Sequence, residues 1–295
     1  MRVSRILKLL FVTGATFLCT ESFAQPPAPI LLAPGSTTTG YPDASNTGYL
    51  PTGVTLHACS SVTSNNTYDS CLFSNGLDLS AGQTNVTVTR SLINGVVTGN
   101  ESCQNLTMTD TEINGNGATN AATNALQCFT WKRINCHSVG QCFYAGTMDV
   151  EDSYCHDLNS TPSGHNECVL GSSQGQKTMI HNNFVSNWLN RNGGGMSSVV
   201  SFYADNGFWG PGGNLLFKNN RMDPSGSGAV YCLYAFGQPT NTYFQNVLIE
   251  NNVWAKAGCS PPNNGPVIYW RTGQPTNVWS NNAYDDGTPI PDQNY

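Results

Sequence analysis

Leu215-Leu216-Phe217-Lys218-Asn219-Asn220, Val247-Leu248-Ile249-Glu250-Asn251-Asn252 and Asn277-Val278-Trp279-Ser280-Asn281-Asn282 repeat one pattern, an alternating apolar strand closed by two asparagines. Thr178-Met179-Ile180-His181-Asn182-Asn183 ends the same way, and four looser copies precede it at 86–91, 106–111, 129–134 and 148–153. With the first residue of each polar pair as a ruler, positions 90, 110, 133, 152, 182, 219, 251 and 281 are separated by 20, 23, 19, 30, 37, 32 and 30 residues. A period of that size built on strands marks a solenoid.

Two-residue alternation leaves one apolar face per strand, which a lone strand cannot bury. Coils stacked at about 4.8 Å bury it continuously. Asn suits the corner because it tolerates left-handed backbone angles and bonds to nearby backbone. Stacked Asn side chains can also bond along the stacking direction. On this reading Asn219 and Asn251 are buried at stacked corners. A β-sandwich with Asn-rich turns is the alternative, but nothing would hold its turns in one register over eight units. The expected fold is therefore all-β, a parallel β-helix of about 8–10 coils with an N-terminal cap.

The repeat resembles the right-handed, single-stranded parallel β-helix of the pectate-lyase-like superfamily. More narrowly, the chain is similar to secreted bacterial β-helix proteins that open with a segment like Gly40-Tyr41-Pro42-Asp43-Ala44-Ser45-Asn46-Thr47-Gly48. Their His-Ser-Asp-Gly-Ile-Gln-like stretch is matched loosely by His165-Asn166-Glu167-Cys168-Val169-Leu170. The resemblance runs from about residue 40 to the end. It specifies the fold more than the activity, since many members of the narrower group have no assigned function.

Residues 1–24 read as a secretory signal, with Arg2, Arg5 and Lys8 before an apolar run at 9–18 and Ser22-Phe23-Ala24 at the cleavage site. The run is too short to span a bilayer, and nothing later is apolar enough. The mature chain is expected to be exported, extracellular or periplasmic, and monomeric. Residues 25–39 form a Pro-rich leader, 40–84 the cap and first coils, and 85–295 the β-helix. Without the signal, 9 basic residues face 17 acidic ones, which argues against a nucleic-acid partner. An acidic polysaccharide is not excluded, because only local charge in a groove matters there. After residue 152 the spacing grows, and long loops on a rigid scaffold are where function concentrates.

Ten of the eleven cysteines follow the signal, an even number that favours disulfides over metal or redox roles in an oxidising compartment. Cys136 and Cys155 each lie three residues after a ruler position, so a bond between neighbouring coils is expected there and between Cys142 and Cys168. Cys103–Cys128, Cys59–Cys71 and Cys232–Cys259 complete the set. No CxxC pair supports zinc, no cofactor is identifiable, and calcium stays open only if acids from different coils meet in space.

A second repeated strand reads Cys142-Phe143-Tyr144-Ala145, Cys168-Val169-Leu170-Gly171, Ser201-Phe202-Tyr203-Ala204, Cys232-Leu233-Tyr234-Ala235 and Tyr269-Trp270-Arg271-Thr272. With Phe143, Val169, Phe202, Leu233 and Trp270 inward, Tyr144, Leu170, Tyr203, Tyr234 and Arg271 form one outward column. Such a column suits sugar rings and carboxylates, with Tyr144, Tyr234 and Tyr269 as binding residues. The expected function is that of a polysaccharide lyase acting on an acidic polysaccharide by proton abstraction and β-elimination, with Arg271 neutralising the substrate carboxylate and His165 or Tyr203 as base. A glycoside hydrolase would use Glu167 and Asp205 as its carboxyl pair. Glycan binding without catalysis, or a purely structural solenoid, needs neither set. His156 and His181 flank strand corners and read as structural.

Overall fold

The computed structural model describes residues 40–162, 166–172, 175–202, 212–225, 227–236, 244–259 and 265–294. The expected signal and leader lie outside the described residues. The rest is a parallel β-helix whose ladders all run parallel between successive coils. Sheet I has nine strands, from Thr67–Asp69 to Val278–Ser280, and sheet II ten, from His57–Ala58 to Ala283–Tyr284. The third face is made of a three-stranded sheet, Leu77–Asp78, Val97–Thr98 and Thr123–Asn124, and a five-stranded one from Gln141–Ala145 to Val267–Ile268. An Ala121–Gln141 bridge joins the two, and together they are called sheet III.

Alternation sends one column of each sheet inward. Sheet I contributes Val88, Met108, Trp131, Val150, Met179, Phe217, Ile249 and Trp279, stacked in register and buried. Sheet II contributes Ile93, Ile113, Cys136, Cys155, Phe184, Met222 and Trp254.

The corner between sheets I and II divides its work between two residues. The first adopts a left-handed backbone at Ser70, Arg90, Asp110, Arg133, Asp152, His181, Asn219, Asn251 and Asn281, with φ between 46° and 56°. The second is buried at Ser91, Thr111, Ser153, Asn182, Asn220, Asn252 and Asn282. Asn219 and Asn251, expected to be buried, are half-exposed bend residues; a left-handed bend turns the first side chain outward and the second inward. In the 177–183 unit the pair is His181-Asn182, one residue before the ruler position, because Asp152, His181 and Asn219 follow directly on the aligned Glu151, Ile180 and Lys218.

The buried second residues form the ladder. Asn282 Oδ1 accepts from the backbone N and Nδ2 of Asn252, both at 3.0 Å. Asn252 Oδ1 accepts likewise from Asn220 at 2.8 and 3.2 Å, and Asn220 Oδ1 from Asn182, both at 3.0 Å. The second Nδ2 proton of each goes to a strand carbonyl, as from Asn252 to Phe217 at 2.9 Å. Asn182 Oδ1 takes the N–H of Ser153, where shorter hydroxyl side chains take over.

The ends are closed asymmetrically. After sheet II's last strand the chain turns back, placing Ile290 in the core and its carbonyl on Trp279 Nε1 at 2.9 Å. Asp292 accepts from the indole of buried Trp270 at 2.7 Å. Residues 40–49, expected to begin the end cap, instead lie along sheet II. The Gly48 N–H bonds the Arg133 carbonyl at 2.9 Å, and the Pro42 carbonyl accepts from Asn183 Nδ2 at 2.9 Å. Gly48 has φ of +75°, and a Cβ there would come within 3.0 Å of that of Asn135, so only glycine fits. Residues 67–78 already form a complete coil.

Five disulfides are present, of which Cys59–Cys71, Cys103–Cys128 and Cys232–Cys259 follow expectation. The other two do not: Cys136 bonds Cys142 and Cys155 bonds Cys168, each pair with Cα atoms 5.8 Å apart. Cys136 and Cys155 do stand opposite each other in register. Residues opposite one another in a parallel ladder point their Cβ atoms the same way, whereas a disulfide needs them to converge. Cysteines on facing sheets of one coil converge across the interior, so these two bonds run within coils.

Two outcomes test this architecture. Peptide mapping of the non-reduced protein should recover Cys136–Cys142 and Cys155–Cys168; a Cys136–Cys155 peptide would refute the in-coil pairing. Asn252→Leu should lower stability by about 1–3 kcal/mol for each ladder group left unpaired, while Asn251→Gly should be near neutral. Equal effects in denaturant titrations would sink the division of labour at the corner.

Candidate functional site

Strand register decides which side chains share the outward face of sheet III. Tyr144 pairs with Leu170, Leu170 with Ser201, Ser201 with Tyr234 and Tyr234 with Ile268. The expected column thus holds at Tyr144, Leu170 and Tyr234, but Ser201 replaces Tyr203 and Ile268 replaces Arg271. In the third expected inward position Val200, not Phe202, faces Val169 and Leu233. His165, Tyr203 and Asp205 lie outside the described residues.

Arg271 is partly buried, three residues past the strand position that faces Tyr234, and its Nη1 donates to the Trp270 carbonyl at 3.4 Å. Two strands separate Glu167's strand from Val267–Ile268, so three coil spacings, about 14 Å, lie between them along the axis. Glu167 and the strand that precedes Arg271 thus stand on coils three steps apart. Tyr234 and Tyr269 do meet, edge to face with centroids 5.8 Å apart, and Tyr231 packs on Tyr234 at 5.5 Å.

Glu167 opens its strand and is buried. It faces Gln141, whose Nε2 donates to Glu167 Oε2 at 3.0 Å. Burial pushes the Glu167 carboxyl up to about 7, with the Gln141 bond opposing it. Gln141 was not singled out from sequence, although Gln141-Cys142-Phe143 and Glu167-Cys168-Val169 align position for position and would have placed the two side by side.

In front of Gln141 is an open cleft of about 290 Å³ lined by Thr119, Asn120, Ala121, Thr123, Asn124, Gln141, Tyr144 and Asn166. Tyr144 is 37% exposed. Its backbone is pinned by Thr123, whose Oγ1 donates to the Tyr144 carbonyl at 2.7 Å. Asn166 is buried and fully used, donating to the Gly140 and Asn159 carbonyls and accepting from Ser160. A wall of amides and hydroxyls beside one aromatic ring, with no charged lining residue among the described residues, can bind neutral hydroxyl-bearing rings.

A second polar cluster lies on sheet II. His137 Nε2 is 3.1 Å from Glu112 Oε1, and the His137 ring stacks on His156 at 5.0 Å. His156 is held by Asp157 Oδ2 at 2.8 Å and Asn135 Oδ1 at 2.9 Å and stacks on Tyr154 at 4.3 Å. Burial is the main influence lowering the His156 pKa. Every ring nitrogen of this pair is occupied locally, which agrees with a structural role for His156.

Among the described residues one group has metal-ligand spacing, His57 with Cys59 and Cys71, and its two sulfurs are joined to each other. The five disulfides fit an oxidising, extracellular setting, and no helix among the described residues is long and apolar enough to cross a membrane. Comparison of the chain with protein-family models, characterised proteins and solved structures returns no match.

Glu167 makes the stability pH-dependent. Its folded pKa lies above the ordinary 4.5, so the native state keeps a proton that the unfolded chain has lost. That contribution is complete below 4.5 and is lost as pH rises towards 7. At ~1.4 kcal/mol per unit the loss is on the order of 3 kcal/mol. Glu167→Gln should flatten the stability profile between those values; an unchanged slope in denaturant titrations would show that Glu167 is not the titrating group.

Proposed function

We propose that this chain is an exported glycan-binding β-helix of the pectate-lyase-like type, directed by the sequence at residues 1–24, and that it holds a neutral polysaccharide in the cleft at Gln141 and Tyr144. The observation that carries the reading is the composition of the cleft wall, uncharged amides and hydroxyls around one exposed tyrosine. Sugar hydroxyls are both donors and acceptors, and Asn, Gln and Thr offer both in return. The Tyr144 ring supplies an apolar surface for a pyranose face. The Gln141 amide is oriented from behind by Glu167, to which its Nε2 donates.

An acidic substrate and β-elimination would call for a cation in the groove. Arg271, the cation expected there, is displaced from the column, so lyase chemistry draws less support than binding. Glycosidic cleavage is the second reading. It is favoured by one observation, a Glu167 carboxyl that keeps its proton up to about pH 7, as a general acid must.

The test is affinity electrophoresis against neutral and acidic polysaccharides, with reducing ends and the ultraviolet absorbance of unsaturated products followed in parallel. Retardation by a neutral polysaccharide is expected, and Tyr144→Ala should weaken it about threefold to tenfold. Retardation only by acidic polymers, or by none, would end the proposal. Release of reducing ends that Glu167→Gln abolishes would replace binding with hydrolysis.

A further inference from the structure

The segment at 40–49 is held to the solenoid by a histidine with an unusual pair of partners. His181 Nδ1 lies 2.8 Å from Asp152 Oδ1, and its Nε2 lies 2.8 Å from the backbone carbonyl of Gly40. A carbonyl oxygen can only accept, and so can an ionised carboxylate. Both ring nitrogens must therefore carry hydrogen, and a neutral imidazole has only one to give. The site is built for an imidazolium.

We propose that His181 is a pH-operated latch: as an imidazolium it clamps the 40–49 segment to the side of the solenoid at Gly40, and on losing its proton it lets the whole segment, out to Gly48, loosen from sheet II. Each group around it fits this role. Asp152 is shared with Lys132, whose Nζ lies 3.4 Å from Oδ2, and Arg133 acts on Asp152 from the neighbouring corner. These contacts keep Asp152 ionised, the bond from His181 being the largest influence lowering its pKa. On the segment side Tyr41 stacks on the imidazole at 5.8 Å; burial pushes its hydroxyl up to about 12, so it stays neutral, with the Arg221 charge opposing that shift. On the following coil the residue in register is uncharged Asn219, and the His181 N–H is satisfied by the Lys218 carbonyl at 3.0 Å. No like charge on any of these elements opposes the imidazolium directly.

The bond to Asp152, then that to Gly40, raises the His181 pKa above its ordinary 6.5. A raised folded pKa gives stabilisation that is complete below 6.5 and disappears as pH climbs through the folded value. His156 works in the opposite sense: its folded pKa is lowered, so its contribution is complete above 6.5 and is lost as pH falls. The two histidines can thus be told apart by the direction of their effect.

The reporter is the amide of Gly48, bonded to Arg133 at the far end of the segment, with the Asn46 and Thr47 amides of the turn on the Asp43 carbonyl beside it. Hydrogen exchange, corrected for intrinsic rate, is measured at about pH 5.5 and about pH 8.5, on either side of the titration. Protection of these amides should be about tenfold higher at the lower pH, as expected for one charged hydrogen bond. His181→Gln should erase the difference, while His156→Gln should leave it in place. Core amides such as Met108 and Val150, followed in the same spectra, report whether the variant is folded. If His181→Gln unfolds, Asp152→Asn should erase the difference in its stead. The latch is refuted if wild-type protection is equal at the two pH values, or if the folded variant keeps the wild-type difference.

Discussion

Everything in this molecule hangs on the two-residue corner between sheets I and II. A left-handed first residue turns the chain, and a buried second residue ties that turn to the next coil through its backbone N–H. Because Oδ1 of each Asn accepts both the backbone N–H and the side-chain amide of the coil before it, the bond fixes register as well as satisfying a buried donor. A slip of one residue would put the polar column into the core and the apolar column into water. From the third coil onward two residues separate each sheet I strand from its sheet II partner, so the corner admits no insertion.

The invariance of that corner explains what could be read from sequence. The Asn pairs, the alternating strands and the solenoid were legible because each copy has the same length. Besides the expected burial of Asn219 and Asn251, one slip there, taking Asn182 rather than His181 as the first residue of the pair, arose because His181 stands where later coils have Asn and a third polar residue, Asn183, follows. Sheet III was read less well for the same physical reason turned round. The chain enters it after two residues between Asn94 and Val97 at one extreme and many more between Val185 and Ser198 at the other, so its register is reset in each coil. Arg271 was misplaced by that resetting, whereas Tyr144, Leu170 and Tyr234 sat close enough to their cysteines to be aligned.

The disulfides illustrate the gap between register and geometry. Placing Cys136 opposite Cys155 was a statement about distance along the axis, and it holds. Bonding them would require the direction of the side chains as well, and in a parallel ladder that direction is shared. The interior instead offers cysteines on converging faces, and Cys136–Cys142 and Cys155–Cys168 cross it within their own coils. Such bonds tie sheet II to sheet III just where the connection between them is variable.

The location of the cleft follows from the same constraint. Both connections that change length, from sheet II to III and from III back to I, flank sheet III, so that face can vary without disturbing the corner ladder. Gln141, Glu167 and Tyr144 stand on strands whose backbone is fixed by the in-coil disulfides, while Thr119, Asn120 and Asn166 come from the connections around them. A rigid strand presents the ring and the oriented amide, and the loops supply the rest of the wall. The segment at 40–49 obeys a different rule. It lies across sheet II, whose outer residues are held by the invariant corner at constant spacing, and it can therefore bond to two coils at once, to Arg133 on one and to His181 and Asn183 on another. One face of the solenoid is thus free to change because another is not, and the fixed face is the one that can carry a tie spanning the coils.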